Sequence, residues 1–315
     1  MSLTYIGQQI TIYGGFCFLV TGVFGNAINV CIFSTVRSYR KNPSTFYFFV
    51  GSIFNIAYIM INLTSRIATG YGIDLTRTSS SWCKARNYFL YTLAMIALTC
   101  PCMAMIDQFL VTSRYVKLRS LSNIQWAHRL VGIMTIIWIL HGIPPVLFYD
   151  VSLITKTCQI TNNIFGIYRS IFLLGLLTTI PATITSLFGY LTYRNIHSIK
   201  ALANQHADQQ ILRMTLFQVV LVNACLIPYA SIVTYSYITE NETKDTIRIM
   251  RESFVMSLFA LWNYGYYAGT CYVFFISSQK FRRAIRDRIL FWRPANQINT
   301  VLPMCNTVSQ KRTIT

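Results

Sequence analysis

The sequence predicts an all-α membrane protein, a bundle of seven transmembrane helices with its amino terminus outside. Three observations predict this fold. Apolar residues make up 54% of the 315 residues and charged residues only 11%, whereas roughly a quarter of a soluble protein is charged. The mean hydropathy is +0.45. Seven long stretches lack charged residues, and basic residues are concentrated in alternate connections between them.

Each charge-free stretch has the length of about 20 residues or more that an α-helix needs to cross a hydrocarbon core of about 30 Å. Strands are excluded because the stretches are too long and show no alternation of polar residues. The predicted helices span residues 10–36, 44–66, 82–113, 127–149, 166–194, 210–238 and 252–278.

The orientation follows from the basic residues. The first helix has no basic segment before it and is too long for a cleaved signal peptide. Arg37, Arg40 and Lys41 follow it directly, so its carboxyl end is predicted inside. With the amino terminus outside, 18 of the 27 basic residues fall in cytoplasmic segments. The net charge of +18 is thus explained by topology, and no nucleic-acid partner is expected.

After the seventh helix, residues 280–292 alternate basic and apolar residues at helical spacing. This predicts a short amphipathic helix on an anionic inner leaflet, with a merely solvated basic tail as the alternative. Residues 1–295 are predicted to form one membrane domain and residues 296–315 a disordered cytoplasmic tail. The nine cysteines include no Cys-x-x-Cys pair, so neither a metal site nor a cofactor is expected.

Several local motifs accompany the seven helices. Trp82-Cys83 opens the third helix, Gly25-Asn26 lies in the first, and Pro228 lies in the sixth. Together they resemble the rhodopsin-like (class A) G-protein-coupled receptors over residues 1–295. Other motifs of the family are altered in this sequence, and in this respect it resembles divergent, invertebrate-type members.

The resemblance implies a disulfide between Cys83 and Cys158, which would fix the second outer loop over a ligand cavity. It also implies a polar network within the helices between Asn26 and Asn55. Asn55 stands where the family usually has an aspartate, so a bound sodium ion is not expected.

The switch positions differ most from the family. Asp107-Gln108-Phe109 stands in place of Asp-Arg-Tyr, and Gln108 cannot form a charge-assisted pair. Pro228 would be the hinge of the sixth helix. Phe275 occupies the place of the tyrosine in Asn-Pro-x-x-Tyr.

The residues that would line the ligand cavity implied by the resemblance indicate which classes of ligand to expect. Leu90 replaces the aspartate of amine receptors, and the seventh helix has no lysine for retinal. Charged residues at membrane depth are candidates for function. Snorkelling into headgroups, or pairing with Asp74, is the alternative for the arginines, and an interfacial belt is the alternative for the tyrosines. The candidate ligand-binding residues are Arg66, Arg86, Leu90, Tyr91, Tyr229 and Tyr264.

The resemblance therefore implies a plasma-membrane receptor that passes the signal of a non-amine, peptide-like extracellular ligand to heterotrimeric G proteins. The alternatives are a seven-helix membrane transporter and a signalling-impaired receptor-like protein. No enzyme is expected, because no catalytic constellation converges and His141 stands alone in its helix. Asn241-Glu242-Thr243 is a glycosylation sequon in the last outer loop.

Overall fold

The computed structural model describes residues 3–153, 156–198, 206–239 and 242–290. Asn241, the last two residues of the amphipathic helix predicted at 280–292 and the tail predicted at 296–315 lie outside these ranges. Seven long helices and one short helix are labelled in chain order: α1 Leu3–Thr35, α2 Pro43–Gly70, α3 Ser80–Thr112, α4 Ile124–Phe148, α5 163–198, α6 His206–Ile238, α7 Thr246–Ser277 and α8 279–290. Single helical turns at Arg37–Arg40, Leu75–Thr78 and Val116–Leu121 lie in the connections.

Polar residues before the helices fix where several of them begin. The Asn42 side chain accepts from the amide of Thr45, and Pro43 occupies the first position of α2. The Ser79 side chain accepts from the amide of Trp82 at the start of α3. Asp245 caps α7 in the same way. The helix starts are thus encoded locally, by side chains that satisfy otherwise unpaired amides.

Six helices, α1 to α6, are long and apolar enough to cross a membrane. The protein is therefore a helical, multi-pass membrane protein, as predicted. The seventh long helix, α7, has 32 residues, but it is less apolar because tyrosines, asparagine and tryptophan interrupt its hydrophobic sequence. A seventh span and the orientation stay predictions.

The helix α3 lies at the centre of the bundle and contacts α2, α4, α5 and α6. In its most apolar 18-residue stretch, 72% of the residues are buried, against 11% in the peripheral α4. The helix α7 packs between α1 and α6. At Gly22 of α1 the helices approach closely, because an added Cβ would lie 2.6 Å from Ile59 and 3.0 Å from Ala268.

A short antiparallel hairpin connects α4 to α5. Its strands are β1 Tyr149–Val151 and β2 Cys158–Ile160, with Val151 opposite Cys158. We call the end of the bundle that carries these strands the hairpin end and the opposite end the Asp107 end. At the Asp107 end, α8 is anchored by Phe281, which is fully buried against Phe33 and Phe274.

Candidate functional site

A disulfide holds the hairpin to the first turn of α3. It joins Cys83 and Cys158, the pair that the resemblance implies, with their Cα atoms 5.7 Å apart. Asp150 of the hairpin adds an ion pair with Lys84 at 3.3 Å. The Ser80 hydroxyl donates to Asp150 at 2.6 Å, and this bond holds the pKa of the carboxyl below its ordinary value. The hairpin is therefore fixed to α3 by both covalent and polar contacts.

Two cavities lie at the hairpin end. The first, of about 830 Å³, lies beside the hairpin and is lined by residues of β2, α3 and α5, including Arg86 and Arg169. The second, of about 480 Å³, lies among α1, α2 and α7 and is lined by Arg66, Gln8 and Ser257. Arg86 and Asp74 belong to the walls of both. Both volumes lie within the range of about 300–1,000 Å³ that is typical of sites for small ligands.

The two candidate arginines lie in these walls with unused donors. Arg66 donates from Nη2 to the carbonyl of Ser257 at 3.2 Å, which links α2 to α7. The Nε atoms of Arg66 and Arg86 are buried and have no hydrogen-bond partner. Asp74 pairs with Arg77 at 3.1 Å, and no ion pair joins it to Arg66 or Arg86 in the described part of the chain. The alternative of pairing with Asp74 is therefore wrong for both.

The candidate tyrosines lie below the cavities. Tyr264 is 5% exposed and is close enough to Arg66 and Arg86 to interact with both electrostatically. Tyr229 interacts in the same way with Arg66 and Arg169. These five side chains connect α2, α3, α5, α6 and α7 at one site.

Two other candidates lie in the apolar packing. Tyr91 is 2% exposed and stacks on Phe172 with ring centroids 4.5 Å apart. The hydroxyl oxygens of Tyr91 and Tyr149 lie 3.4 Å apart. Leu90 is half-buried against the hydrophobic core and lines neither cavity. His141, which the sequence leaves alone in its helix, bonds to the hydroxyl of Tyr168. Tyr91 and His141 line neither cavity either, so these residues contribute to the packing of the bundle and not to the cavity walls.

A polar network crosses the middle of the bundle around Asn26. Its amide nitrogen donates to the carbonyls of Gly22 and Tyr267 at 2.8 Å each. Its oxygen accepts from Asn55 at 3.2 Å and from Thr270 at 3.0 Å. The pair that the resemblance implies is therefore part of a larger network that joins α1, α2 and α7.

Pro101 and Pro228 each leave a backbone carbonyl without its helical donor, and side chains of α7 donate to both carbonyls. Proline lacks an amide hydrogen, so the carbonyl four residues earlier loses its helical donor. For Pro101 of α3 this carbonyl belongs to Ala97, and the Tyr266 hydroxyl donates to it at 3.0 Å. For Pro228 of α6 it belongs to Ala224, and the Trp262 indole donates to it at 3.0 Å. The helix α7 thus contacts both sites of broken helical bonding.

At the Asp107 end, the acid of the altered motif is satisfied by hydroxyls. Asp107 is 5% exposed and accepts from Ser44 at 2.5 Å and from Ser122 at 2.6 Å. Gln108 donates to the same Ser44 oxygen at 2.8 Å. Gln108 therefore faces α2, and its side chain holds α3 to α2.

The remaining switch candidates divide between interior and surface. The Phe109 ring packs edge-on against Phe188 of α5 with centroids 5.4 Å apart. Phe275 is 46% exposed, whereas its neighbour Phe274 is 1% exposed and packs against Phe48. Phe275 thus faces outward, and Phe274 fills the buried position.

Sequence reasoning missed Gln210, the residue that fixes the Asp107 end of α6. Its side-chain oxygen accepts from the Ser278 hydroxyl at 3.1 Å and from the backbone amide of Lys280 at 2.7 Å. The bond reaches the junction of α7 and α8. A polar residue in the first turns of an apolar helix is the only sequence signal for it.

No protein-family model matches the sequence, and no curated protein matches it.

Proposed function

We propose that this protein is a seven-helix receptor of the rhodopsin-like type. It would bind a non-amine, peptide-like ligand at the hairpin end, outside the plasma membrane, and signal to heterotrimeric G proteins at the Asp107 end. In this proposal α7 is the seventh span, since its 32 residues are long enough and it packs between two apolar helices.

The observation that carries the proposal is the hairpin tied by Cys83 and Cys158 to the central helix, beside a cavity of about 830 Å³. A covalently held loop beside a cavity favours a binding site whose shape is preorganised. The same helix, α3, ends in the Asp107 network. One rigid element therefore contacts both proposed sites, as reciprocal coupling between a ligand and an intracellular partner needs.

A receptor in which Gln108 weakens coupling is the second candidate. The observation that favours it is the bond from Gln108 to Ser44, which uses the side chain within the bundle. Such a protein would bind ligand but recruit G protein poorly.

The test is recruitment of heterotrimeric G protein and arrestin in cells that express the full chain, with a broad peptide library as ligands. Surface expression is measured in parallel. We expect at least one peptide to raise recruitment, and Cys158→Ser to abolish that response while Cys31→Ser, at an exposed free cysteine, preserves it. No response from any peptide, with normal surface expression, would refute the receptor function.

A further inference from the structure

The cavities at the hairpin end carry more positive charge than their walls neutralise. Among the described residues, four arginines line them, Arg66, Arg77, Arg86 and Arg169, against one acid, Asp74. Their balance is a net charge of +3. Arg66 and Arg86 are half-buried, whereas Arg77 and Arg169 are exposed, and charged groups withdrawn from water are costly unless they are paired.

Asp74 cannot neutralise this excess because its oxygens are already used. One oxygen accepts from the amide of Thr76 at 3.0 Å and from its hydroxyl at 2.5 Å. The other accepts from Arg77 at 3.1 Å. In the described ranges, no carboxylate lies within 4.0 Å of Arg66, Arg86 or Arg169.

The other described acids at this end are also occupied. Asp245 caps α7 through the amide of Thr246. The remaining ion pairs are Asp150 with Lys84, Glu242 with Arg248, and Glu252 with Lys244 and Arg248. Arg66, Arg86 and Arg169 are therefore left for a group that comes from outside the described chain.

The free donors are suited to an oxyanion. A guanidinium can donate two parallel hydrogen bonds to a carboxylate or phosphate, often through Nε and one Nη atom. The Nε atoms of Arg66 and Arg86 are buried and unpartnered. Both guanidiniums interact electrostatically with Tyr264, and those of Arg66 and Arg169 interact electrostatically with Tyr229. Three cations thus act on two tyrosines.

We propose that this site binds an oxyanion group of the ligand, a carboxylate or a phosphate, with Arg86 as the residue shared by both cavities. The inference deepens the proposed receptor function and rests on it for the choice of a peptide ligand. For a peptide, the group would be the free carboxyl terminus or an acidic side chain.

The test is thermal unfolding of the purified full chain in detergent. The probes are citrate and inorganic phosphate, each compared with sodium chloride at equal ionic strength. Two hexapeptide pools without Asp or Glu complete the set, one with free carboxyl termini and one amidated. At about 100 times its Kd, a bound probe is expected to raise Tm by about 5 °C. Stabilisation by phosphate but not by citrate or the free-acid pool would identify a phosphate ligand.

Variants locate the effect. Arg86→Gln is expected to reduce affinity for the stabilising probe at least tenfold, whereas Arg251→Gln, the same change at an exposed arginine at this end, leaves it unchanged. Arg86→Lys keeps the charge without the planar fork and gives an intermediate affinity. If Arg86→Gln does not fold, Arg86→Lys against the unmodified chain is the deciding comparison.

The proposal would be overturned if neither citrate, phosphate nor the free-acid pool stabilised the chain beyond chloride, or if the Arg86 variants bound as tightly as the unmodified chain. These readouts involve no G protein. Anion binding without recruitment would refute only the receptor function, and recruitment by amidated peptides alone would refute only the oxyanion site.

Discussion

Replacing Tyr266 by phenylalanine is expected to destabilise the bundle, because it removes the hydroxyl that donates to the Ala97 carbonyl in place of the amide hydrogen that Pro101 lacks. Tyr266 is 1% exposed and Ala97 is fully buried, so water cannot replace the 3.0 Å bond. A buried acceptor left unpaired costs about 1–3 kcal/mol. The hydroxyl also bonds to Gln218, which adds a second loss. Since the ring remains, no cavity forms.

A double-mutant cycle with Pro101→Ala isolates the carbonyl. Alanine restores the amide hydrogen of residue 101, so Ala97 regains its helical donor. Tyr266→Phe should then cost about 1–3 kcal/mol less than in the unmodified chain, because only the loss at Gln218 remains. Each kcal/mol of lost free energy of unfolding lowers the melting temperature by roughly 2–4 °C. A thiol-reactive dye that reaches the buried Cys100 and Cys102 on unfolding provides the assay.

The matched control is Tyr272→Phe. The Tyr272 hydroxyl donates to the Thr21 carbonyl at 3.1 Å, but Thr21 lies in α1, which has no proline. That carbonyl keeps its helical donor, so the free energy of unfolding of the variant should lie within about 0.5 kcal/mol of that of the unmodified chain. If Tyr266→Phe lowers the free energy of unfolding equally in the unmodified chain and in the Pro101→Ala variant, the Ala97 carbonyl does not depend on the Tyr266 hydroxyl.

Three further predictions concern the Asp107 end and the hairpin. Gln108→Arg should raise basal and ligand-driven G-protein recruitment if Gln108 limits coupling, whereas the exposed Gln125→Arg should not; equal recruitment would contradict this. Gln210→Ala should speed hydrogen exchange at the Lys280 amide by removing its acceptor, and Gln210→Glu, which keeps one, should not; unchanged exchange in both would exclude the tether. Asp150→Asn should lower Tm at neutral pH but not in acid, because the pKa of the Asp150 carboxyl is lowered in the folded state. The stabilisation of the fold by this carboxylate is therefore complete above the unfolded pKa of about 3.9. It disappears as the pH falls through the lower folded pKa. A Tm difference that persists in acid would contradict it.

The sequence predicts the helices well because each charge-free stretch has to satisfy its own backbone in lipid. It does not predict where they deviate from regular α-helix. Wide π-helical turns occur at Ile59–Leu63 and Phe172–Thr179, and the second lies just before Pro181. Such turns depend on neighbouring helices as well as on local sequence, so the hydrophobic pattern does not reveal them.

At the site, residue types could be predicted but not their directions. Successive residues of an α-helix point about 100° apart, so a motif read by resemblance does not decide whether Phe274 or Phe275 is buried. The partners of Asp107 could not be predicted either. Ser44 lies in α2 and Ser122 in the connection after α3, so the packing of α2 on α3 and the path of that connection together bring the two hydroxyls to one carboxylate.

The lower hydropathy of α7 has a physical reason in its hydrogen bonds. Tyr266 and Trp262, one helical turn apart, donate to the carbonyls that Pro101 and Pro228 leave without a donor, and Thr270 donates to Asn26. A more apolar α7 would remove the side-chain donors of the two carbonyls, at a cost of about 1–3 kcal/mol each, and would leave the Asn26 oxygen with Asn55 as its donor. The polar residues of α7 therefore lie opposite hydrogen-bond acceptors of α1, α3 and α6. A shift of α6 about Pro228 would have to break or carry along the bond to Trp262, so any such motion must involve α7.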